Sequence, residues 1–509
     1  MNAWWKFALG LLAATSTSLA LADNPWEPVR NLNDSELLKE RVVAYETTAN
    51  KAKLFRQETI DYLSEGAQPD VEFTVNLDPT EKFQTIDGFG AAITGSASVN
   101  LTLMPAEDRR ALLLETFSPT EGLGYDYVRV SIGCSDFSLS EFSLWDEPGE
   151  ENFALSSEDL QYVIPILKEI LEINPNLKIM ASPWTCPPRM KVNNLTELKP
   201  FNSWTSGSLN PKYYDEYARY FVKYLAAMKE NGIHITAITM QNEPLNRGNS
   251  ASLFMTWQEQ KEFVKVLGPK IRDAGFDTEI IAFDHNFNYD SNKPECRDQF
   301  GYPLHIYEDE EAAQYLAGAA YHAYGGNKEE MKRVRDARPD KKLYFTEQSI
   351  GSWGYSFGGD LMWFMREIAV GTLNYDCRAV IVWNFMLDDQ KGPNRPGGCQ
   401  QCYGAVNLST NDHKSVERYS HFYEIGHLAK GFAQGAVRIG AHYAIDGKAS
   451  EAPRGFYATA CLNPDGTAAL LAVNDTDAPR KFVVRIGDSS FLAAIDAKAT
   501  RTFKFQANR

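Results

Sequence analysis

LYFTEQSIGSWGYSFGGDLMWFM, residues 343–365, reads as one complete strand–loop–helix unit. Leu343-Tyr344-Phe345 is a short apolar run of β character, and Glu347 stands where such a strand would end. A glycine-rich stretch follows, and then a segment of helical character carrying Trp363. A carboxylate next to a dry core costs free energy unless it is hydrogen-bonded or has a chemical task.

The same unit recurs upstream and downstream. Short β-like runs lie at 84–94, 126–132, 177–184, 235–243, 278–285, 317–324, 342–348 and 379–385. Amphipathic helical stretches separate them, including 157–172 and 213–232. In the second, Tyr217, Tyr220, Phe221, Tyr224 and Leu225 follow the 3.6-residue period. Ser157 and Glu158 suit a helix start, and Asn231-Gly232 suits a stop. Eight β runs alternating with helices imply parallel strands with crossovers, and eight is the number that closes a (β/α)₈ TIM barrel. An open doubly wound sheet is the alternative, but Gly88-Phe89-Gly90 lacks the third glycine of a dinucleotide fingerprint.

The tail differs. Residues 455–474 form a hairpin pattern around Asn463-Pro464-Asp465-Gly466, and 480–487 and 499–506 alternate polar with apolar. Residues 71–77 alternate in the same way. These features predict a side antiparallel β-sandwich module formed by both chain ends. The expected division is a signal peptide at 1–22, an N-terminal segment at 23–83 contributing to the β-module, the barrel at 84–432 and the β-module at 433–509.

Lys6, the apolar FALGLLAA and the small residues Ala20-Leu21-Ala22 before Asp23 read as an export signal. The expected location is therefore secreted or periplasmic, with no stable membrane insertion after signal cleavage. The 51 Lys and Arg residues against 67 Asp and Glu give a net charge of −16, with no basic run, which argues against a nucleic-acid partner. Of the seven cysteines, Cys399 and Cys402 form a C-x-x-C in a glycine-rich loop. A structural zinc needs about four ligands, so a loop disulfide fits better, with two free thiols as the alternative. Sequons lie at Asn100, Asn194, Asn407 and Asn474.

In a (β/α)₈ barrel, active sites lie at the C-terminal ends of the strands. The fourth run ends Gln241-Asn242-Glu243-Pro244 and the seventh ends with Glu347. Each glutamate alone could serve the N-terminus of the following helix. Two of them on strands 4 and 7, with aromatic neighbours, fit glycoside hydrolysis, in which one carboxyl protonates the leaving oxygen and the other attacks the sugar or activates water. Asp136, Trp184, His322, Tyr324 and Trp383 also sit at strand ends, where aromatic faces and polar groups suit a sugar. Ser356 lies in a G-x-S-x-G pattern, but nine residues past Glu347, which holds the place a nucleophile elbow needs. Asp284-His285 is a weak metal-ligand pair. A non-catalytic glycan-binding protein would keep the aromatics and lose a carboxylate, and both glutamates are present.

The stretches QTIDGFGAAIT, RVSIGCSDFS, ASPWTCPPRMKVNN, TMQNEPLN, FDHN, YHAYGG, YFTEQS and VWNFMLD occur in order. Together they resemble glycoside hydrolase family 30, which includes glucosylceramidases and endo-β-1,6-glucanases. The resemblance implies a retaining enzyme without metal or organic cofactor, acting on a β-glucan or glucoside substrate. It implies Glu243 as acid/base and Glu347 as nucleophile, with Asp136, Trp184, Asn242, His322, Tyr324 and Trp383 at sugar-binding positions. Burial and the nearby carboxylate are expected to raise the Glu243 pKa while Glu347 stays ionised. The loop GGCQQCYG and the segment AYETTANKAKLF most resemble the β-1,6-glucanase branch, with a glucosylceramidase or other β-glucosidase as the alternative. Arg189, in CPPRMK, departs from the family pattern and is expected to affect leaving-group preference if it lines the cleft.

Overall fold

The computed structural model describes residues 23–30, 32–287, 296 and 298–507, so the expected signal peptide lies outside the described residues. Eight parallel strands close into a barrel. They are β1 (Gly88–Ala92), β2 (Tyr127–Ile132), β3 (Lys178–Pro183), β4 (Ala237–Thr239), β5 (Glu279–Asn286), β6 (Leu316–His322), β7 (Lys342–Glu347) and β8 (Cys377–Asn384). Each overlaps one of the eight runs anticipated from the sequence, with β5, β6 and β8 reaching one or two residues past the run. The crossover helix Tyr214–Glu230 buries the tyrosine and phenylalanine stripe seen in its periodicity, and it stops at Asn231 before Gly232, whose φ is +78°. Left-handed backbone there favours glycine.

The barrel interior is layered by the two-residue period of its strands. Tyr127, Met180, Ala237, Ile281, Ala320, Tyr344, Ala379 and Ile381 pack together as an apolar floor. Two residues further along most strands the inward position turns polar or aromatic: Arg129, Ser182, Thr239, His322, Thr346 and Trp383. β5 breaks this phase. Phe283 and Asp284 have φ of +69° and +71°, and the pairing with β6 slips between Phe283 and His285. The irregularity brings Asp284, rather than Phe283, to the inward layer, where it bonds Arg129 and His322. Bulges of this kind re-aim side chains next to functional sites.

The side module is one ten-stranded sheet. Its central order runs Val42–Thr48, Ala499–Gln506, Thr467–Asn474, Phe456–Leu462, Val437–Ile445, Phe73–Thr85 and Arg480–Ile486, so both chain ends build it. The hairpin anticipated at 463–466 joins two antiparallel strands, with Gly466 at φ +84°. One pairing departs from the antiparallel expectation: Phe73–Thr85 runs parallel to Arg480–Ile486. The sheet rolls until its outer strands meet, where Tyr62 bridges Phe491 and Leu63 N donates to Ser490 O at 2.8 Å. Phe73, Phe456, Phe482, Phe491 and Phe503 fill the interior. Each fully buried phenylalanine stabilises by about 1.5–3 kcal/mol.

The helix Ser420–Gly431 is buried along its whole length and contacts both the barrel and the sheet. The residues just before it form the short strand Val416–Arg418. His427 bonds the sheet through both ring nitrogens, Nδ1 to Thr502 at 3.0 Å and Nε2 to Thr47 at 2.9 Å. Among the sequon asparagines, Asn100, Asn407 and Asn474 are buried, which closes those positions to glycan attachment in the folded chain.

Candidate active site

Glu243 and Glu347 lie at the C-terminal mouth of the barrel, both buried. One carboxylate oxygen of each, with a ring nitrogen of His322, falls within a group whose members are all within 4.8 Å of one another. Glu243 reaches this position through a left-handed backbone, φ +44°, and its amide donates to the Asp284 carbonyl at 2.9 Å. Its Oε2 accepts from Asn246 at 2.7 Å and from Asn249 at 3.0 Å, while Oε1 lies 3.2 Å from His322 Nδ1 and 3.9 Å from His285 Nε2. Glu347 accepts from Arg129 Nη1 at 2.7 Å on one oxygen and from the Tyr324 hydroxyl at 3.1 Å on the other.

Arg129 and Asp284 organise this pair from beneath. The wholly buried Arg129 donates through Nη2 to Asp284 at 2.8 Å and to Asn242 Oδ1 at 2.7 Å. Asp284 also accepts from Thr239 and Thr346, each at 2.7 Å, and lies 3.1 Å from His322 Nε2. Such a fully satisfied carboxylate makes His322 Nε2 the donor, which turns Nδ1 toward Glu243. Arg129 fixes Asn242 in the same way: the side-chain oxygen is engaged, so the amide nitrogen is the group Asn242 has left to offer.

These contacts set the charges. Burial pushes Asp284 up, but Arg129, His322 and Thr346 outweigh it and hold the carboxyl well below the usual range. Burial also raises Glu243, yet His285, His322 and Asn246 bring it down to about 2. Burial and the Glu243 charge raise Glu347 despite the opposing pull of His322 and Arg129. Burial lowers His322, but the Glu347 charge and the bonds to Asp284 and Glu243 lift it to about 9. Asp136 is pushed up to about 8 by desolvation and by Glu347. The expected order of the two glutamates is therefore reversed. Two neighbouring imidazoles favour the charged form of Glu243 more than burial and the neighbouring carboxylate disfavour it.

The glutamates open into a cavity of about 430 Å³, also lined by Asp136, Tyr324 and Trp383. Three of the other anticipated residues stand behind its wall. Trp184 stacks beneath Trp383 at 5.1 Å, with Arg129 4.9 Å from its ring. Asn242 and His322 are buried against Arg129 and the glutamates. Arg189 does not line this cavity. It pairs with Glu216 at 2.6 Å and borders a separate hollow. Ser356 caps the helix Phe357–Phe364 by accepting from Gly359 N, which is a structural task. The C-x-x-C pair is bonded as Cys399–Cys402, and both residues line the cavity. A larger hollow of about 790 Å³, near Trp26 and Asp108, contains the buried carboxylate Glu115, which is already paired with Arg418 at 2.6 Å. Glu243, His322 and Glu347 are close enough to share a cation, although each already has a partner of opposite charge or a hydrogen bond within the cluster.

Sequence reading missed Arg129, Asn246 and Asn249, and saw Asp284 only as half of a weak metal pair. Arg129 did carry a signal: a cation in the middle of the apolar strand DYVRVSI has to meet a buried acid.

Comparison with known proteins agrees with this geometry. The profile of the glycosyl hydrolase family 30 TIM-barrel domain matches residues 86–432, and that of the family's beta sandwich domain matches 435–503. A solved structure, the endo-beta1,6-glucanase BT3312, is 49% identical with a TM-score of 0.85, over 91% of this chain and 99% of that one. The endo-1,6-beta-D-glucanase of Neurospora crassa is 30% identical over 390 residues, 73% of this chain and 75% of that protein. The lysosomal acid glucosylceramidase of Mus musculus is 26% identical over 444 residues, 83% of this chain and 81% of that protein. With two facing acids at a barrel mouth and both family domains matched in order, this chain belongs to glycosyl hydrolase family 30 and is a glycosidase.

Proposed function

We propose that the chain is a retaining endo-β-1,6-glucanase. The observation that carries the chemistry is the approach of Glu243 and Glu347 to within 4.8 Å, since retaining enzymes hold their carboxyls about 5–5.5 Å apart and inverting ones leave a wider gap for water. The linkage rests on the 49% identical endo-beta1,6-glucanase.

Glu347, steadied by Arg129 and Tyr324, attacks the anomeric carbon and forms a covalent glycosyl ester. Glu243 gives its proton to the departing glycosidic oxygen. In the second step Glu243 takes a proton from water, the water oxygen bonds the same carbon, and the Glu347 carboxylate leaves. The proton that Glu243 needs is close at hand. His322 Nδ1 lies 3.2 Å away, on a ring whose pKa is lifted to about 9 and which therefore carries a proton at neutral pH. Glycan binding displaces water around Glu243, disfavours its charge and draws that proton across. Asn242 offers its amide nitrogen to the sugar 2-hydroxyl. Trp383, backed by Trp184, faces the ring, and the protonated Asp136 donates to a hydroxyl.

We place the enzyme outside the cytoplasm, on the strength of its N-terminal export pattern. No helix among the described residues is long and apolar enough to cross a membrane. A mature chain beginning at Asp23 on N-terminal sequencing is the expected result.

The deciding experiment compares products from β-1,6-glucan, β-1,3-glucan and glucosylceramide, with proton NMR following the first anomer formed. β-Configured gentio-oligosaccharides from the first substrate are expected. Exclusive cleavage of the lipid would transfer the chain to the glucosylceramidase reading, and an α-anomer would remove Glu347 as nucleophile.

A further inference from the structure

Trp353 is 54% exposed, more than any other large apolar side chain among the described residues. Single exposed apolar residues are ordinary on protein surfaces. This one lines the same cavity as Glu243 and Glu347, and the chain around it is built to hold it there.

Ile350–Gly351, just before it, pairs antiparallel with Cys402–Tyr403. Ser352 N donates to Gln401 O at 2.8 Å. The indole lies against Gly351 so closely that a Cβ there would come within 2.0 Å of the ring. The partner segment starts at Cys402, which is bonded to Cys399. Upstream, the buried Arg395 ties this segment to two other barrel loops, donating to Ser135 O and Ser250 O at 2.9 Å each, and it pairs with Glu141 at 2.8 Å. Gly398 packs on the Asp136 carbonyl, where a Cβ would sit 2.3 Å away. The bridged loop spans three residues in sequence, and the entropic gain from so short a closure is among the smallest a disulfide gives. Its effect is local: it fixes the strand against which Trp353 is set.

We propose that Trp353 is a stacking platform for a further pyranose ring of the bound glucan, outside the ring that is cleaved, and that the Cys399–Cys402 loop positions it. This rests on the glucan reading above. An indole face is broad, rigid and apolar, and matches the C–H face of a pyranose at low entropic cost. The opening beside it continues the Glu243–Glu347 cavity, so a glycan with one ring between the acids carries its next rings toward Trp353.

Calorimetry on the Glu347→Gln protein, which cannot turn over, tests this with β-1,6- and β-1,3-linked gluco-oligosaccharides of increasing length. The affinity gain on lengthening, about tenfold for one added stacked ring, is expected to vanish in Glu347→Gln/Trp353→Ala and to return with Trp353→Phe. Phosphine reduction of the disulfide, checked by thiol titration, is expected to cut the gain when Trp353 is present and to change nothing further when it is Ala. An undiminished gain in the Trp353→Ala protein overturns the platform while leaving the glucan reading intact. Loss with Trp353→Ala but no response to reduction overturns the positioning by the disulfide. Absence of binding by either series overturns both the platform and the glucan reading.

Discussion

Arg129 donates from Nη1 to Glu347 Oε2 at 2.7 Å, and neither the guanidinium nor the adjoining Asp284 carboxylate is exposed. One cation thus serves two buried acids. Arg129→Met leaves both without it, and removing one partner of a buried ion pair costs about 3–5 kcal/mol. A lower Tm is expected. Without the guanidinium the Glu347 pKa rises further, so the acidic limb of the pH–rate profile shifts to higher pH. Arg129→Lys restores charge without the planar fork and should recover stability better than activity. An acidic limb that stays in place in Arg129→Met would mean that Glu347 is not the group titrating there.

The roles of the two acids separate by azide rescue. On the proposed assignment Glu347→Ala lacks the nucleophile, so azide in its place should yield the inverted α-glycosyl azide from an aryl β-glucoside. On the same assignment Glu243→Ala still forms the covalent ester, so azide should intercept it and give the retained β-product. Glu243→Gln is expected to lose about 10²–10⁴-fold in kcat/KM on glucan, the usual contribution of general acid–base catalysis. The loss should be smaller on an aryl glucoside with an acidic leaving group, which needs little protonation. Anomeric NMR of the azides reads the outcome, and exchanged configurations would exchange the assignments.

What the sequence disclosed follows the regularity of the chain. The eight strands were legible because each is a short β-like run set off from the next by a helical stretch, and Glu243 and Glu347 because they end such runs. Asp284 was not, because its inward orientation depends on positive φ at 283 and 284, which breaks the two-residue alternation on which the reading depends. Nor was the reversed order of the glutamate pKa values: His285 and His322 approach Glu243 from β5 and β6, 42 and 79 residues away along the chain. The two N-terminal strands of the sheet, Val42–Thr48 and Arg56–Ile60, escaped for a related reason. The first is buried at every position and the second at none, so neither alternates.

His322 predicts a particular pH response. Its value of about 9 exceeds the unfolded value of about 6.5. The charged form is favoured in the folded chain, so its stabilisation is complete below about pH 6.5 and is lost as pH rises through about 9. His322→Asn keeps polarity and removes the titration. Glu243 then loses the imidazole hydrogen-bonded to it, with only the more distant His285 left at 3.9 Å, and the alkaline limb of kcat/KM should move toward lower pH. The fall in Tm above neutral pH should flatten in the same protein. An unmoved alkaline limb would show that the last functional proton resides elsewhere.

His427 predicts the opposite slope at the acid end. Burial lowers it to about 3, and both ring nitrogens bond threonines of the side sheet. The neutral form is favoured on folding, whereas the unfolded chain protonates near 6.5, so this contribution is full above that pH and declines as pH falls toward 3. Protonation puts a second donor on the ring, facing two hydroxyls, in a site without a counter-charge among its bonded partners. His427→Gln supplies one donor and one acceptor and does not titrate, so its Tm should fall less steeply between pH 6.5 and 4 than that of the parent. His427→Leu removes one hydrogen bond each from Thr47 and Thr502, which keep their bonds to Phe55 N and to the residue-427 carbonyl, at about 0.5–1.5 kcal/mol per bond lost, and should lower Tm at every pH. Thermal scans of the three proteins across this range decide it: equal slopes for parent and Gln would locate the acid sensitivity outside the joint between barrel and sheet.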